Sequence, residues 1–562
     1  MIDRRLAGER ALGAAAGLVL GAALASWLVG GSVGVGPWTI PIRAVWRPVA
    51  LGLALLAARL WWALALPVDR PTSPERRVVH VLVGAGYACA VAAGVLVWCH
   101  YQVRVCGGSD SYGYVSAAVA IAEGRPIRPE PLTSLLPFAR GILALTPLGW
   151  VPAASGTAIV PGYPLGFPIV MAVVVRLAGL GAAFYVPLAA GIGILALTYR
   201  LARAHADAWV AGAATLVVAF NPVLTNMAVQ PMSDAPAAFW YLLAVVSLAG
   251  ARPRPVVGGL AFGMAVWTRP LVAVMFPALL LAMARDRRVA LRLLLGGLPV
   301  ACALALTQWY LYGSPLRTGY GGTAGLFTTA NITRHLGAYV WWLVAAHSPL
   351  FVAALAAGVW RGPRRLAWAS VAGLAIAVVP YLFNVQYFDD FDLLRYLLPA
   401  LVPCLIVSTL GAGAIVKRIV PARMFAIAML ALAATVASAS FVFTSGTFTF
   451  RVRQQESRYL EVADWVRTHT PAGAMVLADL HSGPLRLYAD RATLRWVMIP
   501  EGQLGATVDA LASRGTACYA AADGEVEIRG LERRIARDGG GLVAEPVARV
   551  RTVVMYKVYR RL

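Results

Sequence analysis

The sequence predicts a polytopic α-helical membrane protein of about thirteen spans, with a small α/β domain at its C-terminal end beyond the membrane. Three observations predict this. Hydrophobic residues fill 59% of the 562 positions and charged residues only 13%, whereas a soluble chain carries about a quarter charged residues to cover its surface. Basic residues fall in short clusters between apolar runs, the pattern that sets orientation in a bilayer. From about residue 444 the character turns, and the tail holds 13 of the 26 acids. A soluble enzyme and a disordered chain are excluded. The net charge of +23 does not mark a nucleic-acid binder. Up to residue 443 there are 32 basic against 13 acidic residues, and the basic ones punctuate the apolar runs as topology signals.

A spanning helix needs about 20 apolar residues, and the basic loops stay cytoplasmic. Segments near 11–30, 48–66 and 78–101 come first. The run after the basic start at residues 1–10 is long enough to remain as an anchor. Arg4, Arg5 and Arg10 precede the first segment, and Arg70, Arg76 and Arg77 precede the third, so the third span delivers residues 106–116 to the outside. A long first outer loop, about 102–181, is rich in Pro and Gly and holds a juxtamembrane or re-entrant helix at 161–180. Further spans lie near 182–202, 208–224, 235–250, 256–268, 270–284, 289–311, 337–358, 366–384, 395–415 and 424–443. Their inward loops hold Arg200/Arg203, Arg252/Arg254, Arg285/Arg287/Arg288, Arg361/Arg364/Arg365 and Lys417/Arg418/Arg423. The N-terminus is then inside, with a membrane domain at 1–443 and an outer domain at 444–562. In the tail, 455–469 has an amphipathic helical pattern. Strands are expected at 474–478, 516–521 and 548–558, helices near 503–513 and 525–538, and a turn around 481–484.

Acids at the membrane are costly, so each asks for a reason. Asp110 lies in Gly107-Gly108-Ser109-Asp110-Ser111-Tyr112-Gly113-Tyr114, directly beyond the third span. A helix N-cap accounts for it. So does a carboxylate flanked by tyrosines that takes a proton from an acceptor hydroxyl beside a lipid-borne substrate. Asp234, in Gln230-Pro231-Met232-Ser233-Asp234-Ala235-Pro236, lies on the same expected side and depth, and there too a cap with a first-turn proline is sufficient. Asp389, Asp390 and Asp392 precede Leu394-Arg395-Tyr396-Leu397-Leu398-Pro399. Three carboxylates can hold a cation, or form a solvated loop balanced by Arg395. Arg269 and Arg395 are the outer arginines nearest helix ends. They suit a phosphate, or snorkel to headgroups. The loop Pro161-Gly162-Tyr163-Pro164-Leu165-Gly166-Phe167-Pro168 is too proline-rich for a span and should line a cavity. His335 and His347 show no metal spacing. The cysteines are too scattered for a disulfide framework or zinc site, and Cys106 and Cys518 share nothing but their expected side.

An acid just past an early outward span, a first outer loop with Y-P-L-G-F-P at 163–168, and a second acid in P-M-S-D-A-P together resemble the GT-C superfamily. These are integral-membrane glycosyltransferases that use polyprenyl-phosphate-linked sugars. The protein O-mannosyltransferase and aminoarabinose-transferase-like group is the nearest in look. R-Y-L-L-P at 395–399 and A-D-L-H-S-G-P-L-R-L-Y at 478–488 look like bacterial members. The resemblance implies an inverting transfer at the outer face of the cytoplasmic membrane, with Asp110 as catalytic base and Asp234 as a second catalytic acid. It implies a polyprenyl-phosphate sugar donor and an envelope glycan, lipid or protein acceptor, with Arg269 and Arg395 on the lipid phosphate. Tyr112, Tyr163 and Tyr396 join them as substrate-binding candidates. The sequence reads S-D-S where relatives pair two acids, which leaves a divalent cation open as a cofactor. A secondary transporter or lipid-carrier flippase is the alternative, as is a noncatalytic envelope assembly protein in which Asp110 is dispensable.

Overall fold

The computed structural model describes residues 74–562, apart from 139, 251, 282–285, 322, 388, 539 and 562, together with a hairpin of β1 (Ser32–Val35) and β2 (Trp38–Pro41). The spans expected near 11–30 and 48–66 lie outside the described residues.

Every span expected between residues 78 and 443 has a helix at its position. The chain runs through α1 (Pro74–Tyr101), α2 (Asp110–Ala122), α3 (Gly166–Ala178), α4 (Val186–Arg203), α5 (Ala208–Ala219), α6 (Pro222–Ala228), α7 (Asp234–Ala249) and α8 (Pro255–Thr268). It continues through α9 (Arg287–Tyr312), α10 (Ile332–Arg361), α11 (Arg364–Leu382), α12 (Leu398–Ile419) and α13 (Phe425–Gly446). Among the described residues seven helices are long and apolar enough to cross a bilayer, or eight if the bent pair α5–α6 is one span. The 16 residues of α7 reach about 24 Å at 1.5 Å per residue, short of a hydrocarbon core of about 30 Å. At the expected segments 235–250, 256–268 and 270–284 lie α7, α8 and a helical stretch at Pro270–Leu281, each too short to count as a full span by length alone. Asn221-Pro222 explains the 60° break between α5 and α6. Proline cannot donate to the preceding turn, and the Asn221 side chain caps α6 by accepting from the Leu224 amide.

Beyond α13 the chain forms α14 (Val452–His469), α15 (Ser482–Tyr488), α16 (Leu504–Ala512) and α17 (Gly524–Asp538) around a five-stranded sheet. Its strands are β6 (Met475–Ala478), β7 (Ala492–Leu494), β8 (Cys518–Asp523), β9 (Leu542–Val550) and β10 (Val553–Arg560), in the order β7-β6-β8-β10-β9. The first three are parallel, and β10 is antiparallel to both neighbours. The single strand expected at 548–558 is instead a hairpin. It turns at Arg551, whose φ is +54°, and an unbroken alternation across a two-residue turn hides such a reversal.

The long loop between α1 and α3 is folded against this sheet. Its own small antiparallel sheet pairs β3 (Arg128–Pro129) with β5 (Ala158–Pro161), and β5 with β4 (Trp150–Pro152). Ala144 and Leu145, on a short helix (Ile142–Leu145) between β3 and β4, are buried in one cluster with Met475, Leu477 and Leu494 of the C-terminal sheet. Arg486 of α15 pairs with Glu130 and donates to the Leu145 carbonyl. The result is a cap of loop and sheet seated on one end of the helical bundle, directly over the start of α2.

Candidate active site

Two Ser-Asp pairs open helices at this end of the bundle, and neither is spent on capping. Ser109 and Ser233 occupy the N-cap positions of α2 and α7, yet neither side chain makes a cap hydrogen bond. Their hydroxyls go to tyrosines instead: Ser109 Oγ lies 2.8 Å from the Tyr163 hydroxyl, and Ser233 Oγ donates to Tyr114 at 2.9 Å. The aspartates that follow pair with arginines. Asp110 accepts from the Tyr163 hydroxyl at 2.6 Å and from Arg395 Nη2 at 3.2 Å. Asp234 pairs with Arg269. Tyr396 lies between the two ion pairs, with each guanidinium carbon 5.0 Å from its ring centre. Tyr381 stacks on that ring at 4.7 Å.

The two carboxylates differ sharply in access. The Asp110 side chain is 37% exposed and that of Asp234 only 1%. A group that must reach a substrate needs such an opening. Asp234, expected as a second catalytic acid, is sealed and neutralised by Arg269, so its geometry suits holding that arginine and not proton transfer. Burial and the neighbouring Asp110 carboxylate raise the Tyr163 phenol above its ordinary range, which keeps it a proton donor to Asp110.

Tyr163, Arg269, Arg395 and Tyr396 therefore converge with Asp110 and Asp234. Tyr112 does not. Two helical residues past Asp110 a side chain points about 200° away, and Tyr112 is buried against α15, where a Cβ on Gly483 would lie 2.3 Å from its ring. Tyr114, four residues past Asp110 and on its face, is the tyrosine that meets the site, 4.9 Å from Tyr163 ring to ring. Tyr320, from the loop after α9, stands 6.1 Å beyond Tyr163. The i, i+4 spacing of Asp110 and Tyr114 carried the signal for the first; nothing local marks Tyr320 or Tyr381.

The three acids before Arg395 diverge. Asp389 accepts from Trp342 Nε1 at 3.1 Å, and Asp390 accepts from the Asp392 amide at 2.9 Å. Asp392 takes the Asn226 side-chain amide at 2.8 Å and lies 3.4 Å from Arg395 Nε. Among the described residues no group of three His, Cys, Asp or Glu side chains is placed to hold a metal ion, and the three acids do not share one site. The cysteines are free. Cys106 is buried, with its sulfur 3.2 Å from the Tyr488 hydroxyl, and Cys518 lies in β8.

No family model matches the sequence, and no curated protein matches it. Solved structures do match. ArnT from Cupriavidus metallidurans, crystallised bound to undecaprenyl phosphate, is 15% identical with a TM-score of 0.55, over 86% of this chain and 98% of its own. The same protein in the apo state gives 0.53 at 15% identity, over 83% and 97%. The Archaeoglobus fulgidus oligosaccharyltransferase in complex with Zn and sulfate gives 0.50 at 13% identity, over 83% of this chain and 73% of its own. The chain thus shares its fold with ArnT and with this oligosaccharyltransferase.

Proposed function

We propose that this chain is an inverting glycosyltransferase that moves a sugar from a polyprenyl-phosphate donor to an acceptor hydroxyl at the outer face of the cytoplasmic membrane. The observation that carries this reading is Asp110: an accessible carboxylate hydrogen-bonded to Tyr163, beside two guanidiniums that flank one tyrosine ring. The fold shared with a protein crystallised on undecaprenyl phosphate adds support.

In the proposed step the acceptor oxygen attacks the anomeric carbon from the face opposite the phosphate. Asp110 takes its proton as the new C–O bond forms. The bond from the anomeric carbon to the phosphate oxygen breaks with its electron pair, and polyprenyl phosphate leaves carrying the extra negative charge. Arg395 and Arg269 meet that charge where it develops. The Arg395 contacts to Asp110 and Asp392, 3.2 and 3.4 Å, are longer than a tight charge-assisted bond of about 2.7–2.9 Å, so a phosphate can draw the guanidinium away. The test is transfer from a panel of radiolabelled polyprenyl-phosphate sugars, in membranes holding equal amounts of wild type or Asp110→Asn. Activity confined to the wild type supports the reading, and equal transfer by both removes Asp110 from it.

One observation favours the transporter alternative. α10 breaks at Ser348 (φ +63°), and His347 meets Asn221 of the α5–α6 break at 2.7 Å, so two interrupted helices touch inside the bundle, as at transporter sites. The accessible carboxylate lies elsewhere, at the capped end. Movement of the lipid-linked sugar across vesicles without transfer would favour this alternative.

A further inference from the structure

The segment that carries Asp110 into place has little regular structure of its own. Between the end of α1 at Tyr101 and the start of α2 at Asp110 it forms neither helix nor strand. Its position must come from what covers it, and the cover is α14 and α15 of the C-terminal domain. The Tyr459 ring occupies the space that a side chain at position 107 would need; a Cβ on Gly107 would lie 1.9 Å from it. Gly108 turns with φ +57°, open to glycine at low cost. The Tyr488 hydroxyl accepts from the Cys106 amide at 3.0 Å. Ser111 closes the turn by donating to the Gly107 carbonyl and accepting from its amide.

Tyr459 is itself held from behind. The His481 ring lies 4.7 Å from it, and the Arg458 guanidinium stands over it at 4.6 Å. One oxygen of Asp523 gathers both neighbours, Arg458 Nε at 2.8 Å and His481 Nε2 at 3.2 Å, while Thr552 donates to the other at 2.6 Å. Residues of α14, the start of α15 and β8 thus hold a single ring, and that ring abuts the turn three residues before Asp110.

We propose that Tyr459, clamped by His481, Arg458 and Asp523, is the positioning device for Asp110, setting the Gly107-Gly108 turn and through it the place of the carboxylate between Tyr163 and Arg395. This deepens the glycosyltransferase reading and rests on it for the role of Asp110. None of the four touches the reacting atoms; they act through the turn. A misplacement of about 1 Å costs about a hundredfold in rate, so the clamp need shift little to matter.

The experiment uses the full-length protein in lipid nanodiscs, as wild type, His481→Ala, Tyr459→Ala and His481→Gln. Two readouts are taken: kcat and KM for the polyprenyl-phosphate sugar best used by wild type, and hydrogen exchange of the amides at 107–112 against those of β6 and β8. The expected result is a kcat lowered about a hundredfold at unchanged KM in both alanine variants. Exchange should quicken at 107–112 while β6 and β8 stay protected, and the glutamine, which can still donate to Asp523, should recover most of both. Unchanged exchange at 107–112 overturns the proposal. So does a raised KM at intact kcat, or protection lost across the whole sheet without rescue. Should wild type transfer from no donor, the glycosyltransferase reading fails by itself, and the exchange comparison still decides whether the clamp sets the turn.

Discussion

Asp110 and Asp234 begin helices in the same sequence setting, after a serine, yet their surroundings assign them different work. The accessible one can reach a hydroxyl. The sealed one can hold Arg269 at its station. Replacing Asp110 by Asn keeps the shape and removes the proposed base, and should lower kcat by about 10² to 10⁴. Arg395→Lys keeps the charge but loses the planar fork that spans phosphate oxygens, and should cost about 10² in kcat/KM with the fold intact. Tyr163→Phe should lower kcat by removing the donor on Asp110, whereas Tyr112→Phe should leave kcat and KM unchanged; steady-state transfer assays separate the two. The site was legible where chemistry is rare in its setting, as with two acids and two arginines at helix ends in an apolar chain. The choice between Tyr112 and Tyr114 was open to helical geometry as well, because only the latter shares a face with Asp110. Tyr320 and Tyr381 carry no such mark, since a tyrosine near a membrane surface is ordinary.

At the scale of elements, helix positions followed from apolar runs and proline breaks, while the hairpin at Arg551 was hidden by continuous strand-forming sequence. The amphipathic pattern of α14 located that helix without showing what its ends do. Glu456, on its first turns, is pushed by burial up to about 7, with Arg458 pulling the other way. The folded value lies above the unfolded one, so between those values the folded chain keeps a proton that the unfolded chain has released. That contribution to stability is present at low pH and is lost as pH rises through about 7. Glu456→Gln should therefore raise Tm at pH 8 and change it little at pH 5, as followed by thermal unfolding in detergent at the two pH values.

For the whole molecule, topology was readable from the basic loops as an expectation, because charge asymmetry is a global pattern written in local clusters. The union of the first loop with the C-terminal sheet was not. Its contacts join residues more than 300 positions apart, such as Cys106 with Tyr488 and Leu145 with Arg486, and such pairs leave no periodicity to find. A physical consequence can be measured. A protease site inserted after Thr447 should be cut, and the released C-terminal piece should stay with the membrane part on gel filtration, because Ala144 and Leu145 sit inside its core. Elution of the two pieces apart would mean that this shared core does not hold them.

That shared core also orders events during synthesis. The loop around Leu145 leaves the ribosome more than 300 residues before the strands that will cover it. Contacts so distant in sequence form late and at high entropic cost. Until α14 and α15 arrive, the turn before Asp110 has nothing above it, and until β6 and β8 arrive the apolar face of the loop waits uncovered, a liability for aggregation. A chain whose synthesis stops before the tail would have its helices inserted and its aspartate present, with no seat for either loop or turn. On the proposed reading, completion of the site waits for the C-terminal domain, and a copy stopped before it should transfer no sugar.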